Sequence, residues 1–297
     1  MPKAIVTIKG GIGNQLFQYA FGESIKKKWN CEVLYNIDWF YRYGLDTPRE
    51  LALLKLVDLN YIKHSKKKEF LQSPHISKLL NQFSFLHKTE FRSEESFDFF
   101  EHYQKMPSKK IKKIFFNGYW QSSKYFQLIE HDLRNKLLAY KTHLKKSSLF
   151  NNIKNAKNST SLHIRRGDYI SNKAAKNTFD TCSLDYYKNA INNINKLAGE
   201  ESKFFIFSDD IEWAKDNINI DNNLIYVDSK YNLSDLDELF LMSICKNHII
   251  ANSTYSWWGA WIGSSKAGIT ICPKNWYKSS KQPNALFPEK WISINNH

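Results

Sequence analysis

Ser161-Leu162-His163-Ile164-Arg165-Arg166-Gly167-Asp168-Tyr169 is a short apolar run that stops in two guanidiniums, a glycine and a carboxylate. Ser161 to Ile164 reads as a strand. Where strands and helices alternate, ligands bind in the crevice beyond the carboxyl ends of the strands, so charge gathered there marks a candidate site. Along a strand, His163 and Arg165 share one face and Leu162 and Ile164 the other. Gly167 allows a sharp departure that keeps Arg165 near Asp168. Two adjacent arginines suit a diphosphate, because each planar fork can hold phosphate oxygens bidentately. A surface salt bridge at a strand end would use the same residues, and this stretch by itself does not choose.

Downstream the alternation is regular. Phe204 to Phe207 is a strand ending in Ser208-Asp209-Asp210, and Leu224 to Val227 is the next. Ser234 and Asp237 have capping-box spacing at the head of a helix. His248 to Ala251 is a strand ending in Asn252-Ser253-Thr254, before a tryptophan-rich helix that carries Ser256; Ile269 to Cys272 is the last strand. This pattern is a doubly wound parallel α/β domain. If the strands are neighbours, three polar ends open on one edge. Arginines there face phosphates, and the hydroxyl-rich helix start at Ser253 to Ser256 can hold the same anion. A carboxylate at Asp209 or Asp210 can accept from a guanine edge or a ribose hydroxyl. The plainer account has Ser208 or Asp209 capping one helix and Thr254 and Ser256 another; three such ends in register favour a site.

Upstream, Ala4 to Ile8 is a strand, Lys9-Gly10-Gly11-Ile12-Gly13-Asn14-Gln15 a glycine loop, and Leu16, Phe17, Ala20, Phe21 and Ile25 recur at helical spacing. Val33 to Ile37 completes a βαβ start. Gly11-x-Gly13-x-x-Leu16 lacks the third glycine of the dinucleotide fingerprint and Asp38 falls late for a ribose acid, so an NAD(P)-dependent oxidoreductase is a poor match. Amides at a helix N-terminus still attract anions, and Asn14 and Gln15 add side-chain hydrogen bonds. A plain tight turn explains the glycines but not the amides. Residues 38 to about 110 read as irregular and basic. Lys113 to Phe116 is a strand leading into Gly118-Tyr119-Trp120-Gln121-Ser122, and Tyr125 to Leu137 is an amphipathic helix. Polar Lys141 to Ser159 resembles a linker. The chain therefore divides into domains 1–150 and 151–297.

A net charge of +14 over 297 residues favours an anionic partner. A basic nucleic-acid-binding protein would explain the charge but none of the spaced motifs, and the lysine runs are not interleaved with aromatics, so no nucleic acid is expected. A basic face could rest peripherally on anionic lipid at the inner membrane. Four scattered cysteines without a Cys-x-x-Cys, no signal-peptide pattern and no long apolar stretch fit a cytoplasmic soluble protein. Asp235-Leu236-Asp237 has an Asp-x-Asp form, but its capping-box context makes helix initiation the better reading.

Gly10-Gly11-Ile12-Gly13-Asn14-Gln15-Leu16-Phe17-Gln18-Tyr19-Ala20, then His163 to Tyr169, then Ile249-Ile250-Ala251-Asn252-Ser253-Thr254-Tyr255-Ser256-Trp257-Trp258-Gly259-Ala260, resemble bacterial α-1,2-fucosyltransferases, glycosyltransferase family 11. Gly118 to Ser122 and Phe207 to Asp210 extend the resemblance over nearly the whole chain. It implies a GT-B-type α/β fold, two Rossmann-like doubly wound domains facing across a cleft. The N-terminal domain would lie on the acceptor side and the C-terminal one would bind GDP-β-L-fucose. It further implies transfer of L-fucose, with inversion, to the 2-hydroxyl of a terminal galactose on a glycan such as an O-antigen or oligosaccharide, with no cofactor and no required metal. Donor-site residues would be Gly11, Gly13, Gln15, His163, Arg165, Arg166, Asp168, Ser208, Asp209, Asp210, Asn252, Ser253, Thr254 and Ser256. Arg165 and Asn14 are the catalytic expectations. The general base stays open among Asp38, Asp180 and Asp185. One departure is Asn36, where the family's second strand commonly carries an aspartate.

Overall fold

The computed structural model of the protein describes residues 1–41, 49–63, 81, 88–167, 172–199, 201–219, 223–263, 268–279, 282–283 and 285–297. The chain forms two compact units, Met1–Arg134 with Pro283–Leu286, and Asn135–Gln282 with Phe287–His297.

The first unit is built on strands β1 (Lys3–Thr7), β2 (Val33–Asn36), β3 (Tyr61–Ile62), β4 (Thr89–Ser93) and β5 (Lys113–Asn117), in the order β3-β2-β1-β5-β4 with every pair parallel. Helix α1 (Ile12–Trp29) buries Leu16, Phe17, Ala20, Phe21 and Ile25 completely, as its apolar spacing predicts. Lys26, Lys27 and Lys28 fill its last turn, where the helix dipole favours cations, and Asn30 closes it in the left-handed conformation. Among its described residues, the stretch 38–110, read as irregular, supplies two strands, β3 and β4. The sequence hides them because β3 has two residues and β4 is a partly exposed edge strand without a strong apolar alternation.

The tryptophan of Gly118-Tyr119-Trp120 is a core plug. Trp120 is fully buried at φ 56°, stacked 4.3 Å from Phe21 with an 11° interplanar angle. The helix expected from Tyr125 to Leu137 is instead a 3₁₀ segment, Ser123–Ile129, broken at Phe126 and followed by α2 (Glu130–Leu138).

The second unit takes in the end of α2, then a 3₁₀ segment, Ala139–Lys146, and helix α3 (Ser148–Asn155). These replace the expected 141–159 linker. Leu149 and Ile153 are buried, and Tyr140 lies 4.7 Å from the ring of Phe240, so the polar composition belongs to the outer faces of packed helices. Then come β6 (Ser159–Ile164), α4 (Lys173–Thr178), α5 (Leu184–Ala198), β7 (Lys203–Ser208), α6 (Ile211–Asn217), β8 (Leu224–Tyr226), α7 (Asp235–Ile244), β9 (Asn247–Ile249), α8 (Thr254–Gly263), β10 (Thr270–Pro273) and β11 (Ile292–Ile294). The last strand is β11, not β10; three mostly exposed residues carry too little pattern to announce it.

All six strands are parallel, in the order β11-β10-β9-β6-β7-β8. Leu162, Ile164, Phe204, Ile206, Ile249 and Ile271 point into one core with Tyr186, Ile191 and Ile194 of α5. The direction of winding reverses between β6 and β9, the switch point at which a doubly wound sheet opens a crevice beyond its strand ends.

Candidate functional site

The three polar strand ends are neighbours. β6 pairs with β7 on one side, Ile164 opposite Ser208, and with β9 on the other, Leu162 opposite Ile249. Their following loops therefore share the carboxyl edge at the switch point.

Asp209 organises that edge. One oxygen accepts the backbone N–H of Arg166 at 2.8 Å; the other accepts that of Gly167 at 3.0 Å and lies 3.0 Å from Nη1 of Arg165. A Cβ on Gly167 would stand 2.8 Å from the same carboxylate, so the glycine is what lets the turn close on it. Asp209, an exposed residue, thus spends both carboxylate oxygens on the neighbouring β6 end. The arginine is ion-paired, and the pair fixes one end of its guanidinium fork at the sheet edge.

Arg166 is braced by Asp210, its Nε 3.3 Å from a carboxylate oxygen, and its guanidinium lies 3.8 Å above the Trp213 ring. The brace expected from Asp168 falls on a residue outside those described. Asp210, not Ser208 or Asp209, caps α6 by accepting from Trp213 N–H at 3.3 Å; the Ser208 hydroxyl accepts from Asp210 N–H at 3.0 Å.

His163 is 4% exposed, its ring 5.5 Å from that of Tyr255. Burial, then the Arg165 charge, pushes its pKa down to about 3, so it is a neutral imidazole at physiological pH. Its Nδ1 has no partner among the described residues.

The β9 end is more structural than expected. The Asn252 amide donates to the carbonyls of Asp180 and Trp276 at 2.6 and 3.2 Å, stitching three segments together. The Ser256 hydroxyl donates back to Ala251 and Ser253 carbonyls. Ser253 is buried, and Thr254 opens α8 at the sheet edge. The run Trp257, Trp258, Trp261 is core.

In the first unit the glycine loop follows β1. Gly10 holds the positive φ, 80°, and Gly11 precedes α1 with an ordinary φ of −71°. Gly13 is buried in the first turn. Gln15 is fully buried; its amide donates to the carbonyls of Gly10 and Glu50 and accepts from Leu53 N–H. Its hydrogen-bonding capacity serves the fold rather than a ligand. Asn14 stays half-buried and accepts from Gln121 Nε2 at 2.9 Å. Asn36 accepts from Asp38 N–H at 3.0 Å, an Asx turn that an aspartate would make equally well.

Sequence reasoning missed Glu94, at the end of β4. Its carboxylate accepts Tyr119 N–H at 2.6 Å and Trp120 N–H at 3.2 Å. Burial raises its pKa to about 7 against the lowering effect of those two donors and of Lys9. The cue was the polar run Ser93-Glu94-Glu95-Ser96 after an unrecognised strand. Of the open base candidates, Asp180 lies 2.9 Å from Nε2 of His297, and Asp185 is exposed in the first turn of α5.

Ser234 and Asp237 form the predicted capping box at the head of α7. Among the described residues, no three His, Cys, Asp or Glu side chains gather as a metal set, and no helix is long and apolar enough to cross a membrane.

The Glycosyl transferase family 11 model matches residues 4–295. An alpha-1,2-colitosyltransferase from Escherichia coli is 33% identical over 301 residues, 99% of both chains. The O-antigen biosynthesis glycosyltransferase WbnK, also from Escherichia coli, is 33% identical over 315 residues, 97% of this chain and 99% of its own. Among solved structures, NodZ alpha-1,6-fucosyltransferase of Bradyrhizobium, soaked with GDP-fucose, superimposes with a TM-score of 0.51 at 12% identity, covering 88% of this chain and 92% of that one. An Arabidopsis thaliana FUT1 variant in complex with GDP gives 0.50 at 12% identity, covering 97% and 74%. At such identities the structural likeness speaks for the fold alone, a two-unit α/β architecture of the GT-B type.

Proposed function

The chain belongs to glycosyl transferase family 11, and from that premise we propose that it moves L-fucose, with inversion, from GDP-β-L-fucose to the 2-hydroxyl of a terminal galactose on a glycan of the O-antigen kind. The observation that carries this reading is Arg165, held by Asp209 beside neutral His163 at the switch point of the second sheet. Breaking the bond between the anomeric carbon and the phosphate oxygen leaves negative charge on GDP and an oxocarbenium-like sugar. A guanidinium fixed in advance stabilises that charge as it develops, and does so most in the transition state. Because His163 is neutral, it adds a hydrogen-bonding group at the edge without a second charge.

Asn14, on the first unit, is our second assignment, an uncharged N–H donor to the leaving diphosphate. The guanidinium supplies the role that a magnesium ion plays elsewhere, so the reading requires no metal. A GDP-sugar donor and a basic chain fit work on the cytoplasmic side, with peripheral contact to anionic lipid.

A second donor sugar is favoured by one observation, the 33% identity to a colitosyltransferase. Colitose lacks the 3-hydroxyl of fucose, and a site that hydrogen-bonds a hydroxyl rejects the analogue without it strongly. Incubation with GDP-fucose or GDP-colitose and a panel of galactosides, with linkage analysis of products, decides. We expect GDP release and an α-1,2-linked fucoside. Turnover with GDP-colitose alone would change the donor. Absence of turnover with either, together with no binding of GDP, would refute the assignment.

A further inference from the structure

An asparagine assists an anion only through its NH2; its carbonyl oxygen repels one. Which end Asn14 offers is set by Gln121. Gln121 is 6% exposed and donates from Nε2 to Asn14 Oδ1 at 2.9 Å, so the repelling end of Asn14 is already occupied. The Nδ2 end lies over Gly10, where a Cβ would come within 2.8 Å of it. Gln121 itself cannot drift, because the turn that carries it is clamped on three sides. Glu94 accepts the N–H groups of Tyr119 and Trp120. Trp120 is stacked on Phe21 of α1. Gln18, also of α1, donates to the Gly118 carbonyl at 3.2 Å. The helix that carries Asn14 is therefore also the one to which the Gln121 turn is fastened.

We propose that Gln121 is a positioning residue that holds the Asn14 amide with its NH2 presented as a donor to the leaving diphosphate. This deepens the assignment of Asn14 and rests on it. The Gly118–Ser122 motif then has two jobs, a core plug at Trp120 and an orienting amide one residue later.

A double-substitution cycle tests it. Gln121→Glu nearly keeps the volume but removes the donor, forcing Asn14 to turn its oxygen outward. We expect kcat with GDP-fucose to fall roughly ten-fold or more, the scale of one hydrogen bond to a charged group, with KM for the donor within a few-fold. In the Asn14→Ala background the same change should alter kcat less than about two-fold, since coupled residues are non-additive. If Gln121→Glu does not fold, Gln121→Ala takes its place in the cycle. A full effect of the Gln121 substitution persisting without Asn14, or wild-type kcat in the single variant, overturns the proposal. If the wild-type protein binds GDP but transfers neither sugar, the donor assignment fails by itself. The side-chain amide signal of Asn14 in 15N-asparagine-labelled protein, assigned by its loss in Asn14→Ala, then decides: GDP should move it in the wild type and not in Gln121→Glu. A signal unmoved in the wild type, or moved equally in both, overturns the positioning role.

Discussion

Asp209 binds Arg165 through the same carboxylate that takes the backbone N–H groups of Arg166 and Gly167, so one side chain sets both the arginine and the turn that follows it. The pair lowers the net positive charge at the strand end, yet it removes the cost of ordering the guanidinium when a ligand arrives, which is preorganisation. Without Asp209, the arginine keeps its charge and loses its place.

Asp209→Ala should therefore reduce transfer by about as much as Arg165→Ala, on the order of a hundred-fold for a lost fixed donor. It should also cost about 1 kcal/mol of stability, since two exposed turn N–H groups exchange a charged acceptor for water. Arg165→Ala should leave the fold nearly as stable as wild type. Steady-state kinetics with denaturant titration of both variants separates the two effects.

The two loop glycines should behave oppositely. Gly10→Ala places a Cβ at φ 80° and 2.8 Å from Asn14 Nδ2, so it should destabilise by about 1–2 kcal/mol and also lower kcat. Gly11→Ala meets nothing within 4 Å at an ordinary φ, so its melting temperature should match wild type. A selective loss of activity there would mark close approach of a ligand to the backbone.

Glu94 gives a pH signature. Its folded pKa, about 7, stands above the ordinary value of 4.5, so the folded protein holds this proton more tightly than the unfolded chain. Its contribution to stability is full below pH 4.5 and is lost as pH rises through 7. Around it stand Lys9, Tyr103, Tyr119 and Tyr125. Glu94→Gln should show a flatter stability profile than wild type between pH 5 and 8, measured by urea titration at each pH. An unchanged profile would mean that Glu94 is ionised across the range.

The buried histidines act in the opposite sense. His163 and His248 are both pushed down to about 3, first by burial and then by Arg165 and Lys290 respectively. Neutral in the fold, they contribute stability that is full above 6.5 and is lost as pH falls from 6.5 toward 3. His163→Gln should flatten the acid limb between pH 5 and 6.5. A variant that loses stability on acidification as steeply as wild type would contradict the neutral imidazole.

How much of this was legible in the chain depends on how local the cause is. The capping box of Ser234 and Asp237 is set by residues within one turn of each other, and it is readable in the sequence. β4 was not, because an edge strand draws its definition from the β5 partner rather than from its own alternation. Lys141 to Ser159 looked like a linker because only two of its apolar residues, Leu149 and Ile153, anchor helix α3, and composition averages them away.

The sequence by itself determined the alternation of strands and helices, the polar strand ends and the family motifs, because each is written in contiguous residues. Only the tertiary structure decided how the polar residues are spent. Asp209 turned toward Arg165, Asp210 toward Arg166 and the α6 N-terminus, Gln15 and Asn252 toward backbone carbonyls, and Glu94 toward a turn 25 residues away. A side chain's partner is chosen by what the sheet order brings beside it, and strand order is a property of the packed core rather than of any motif.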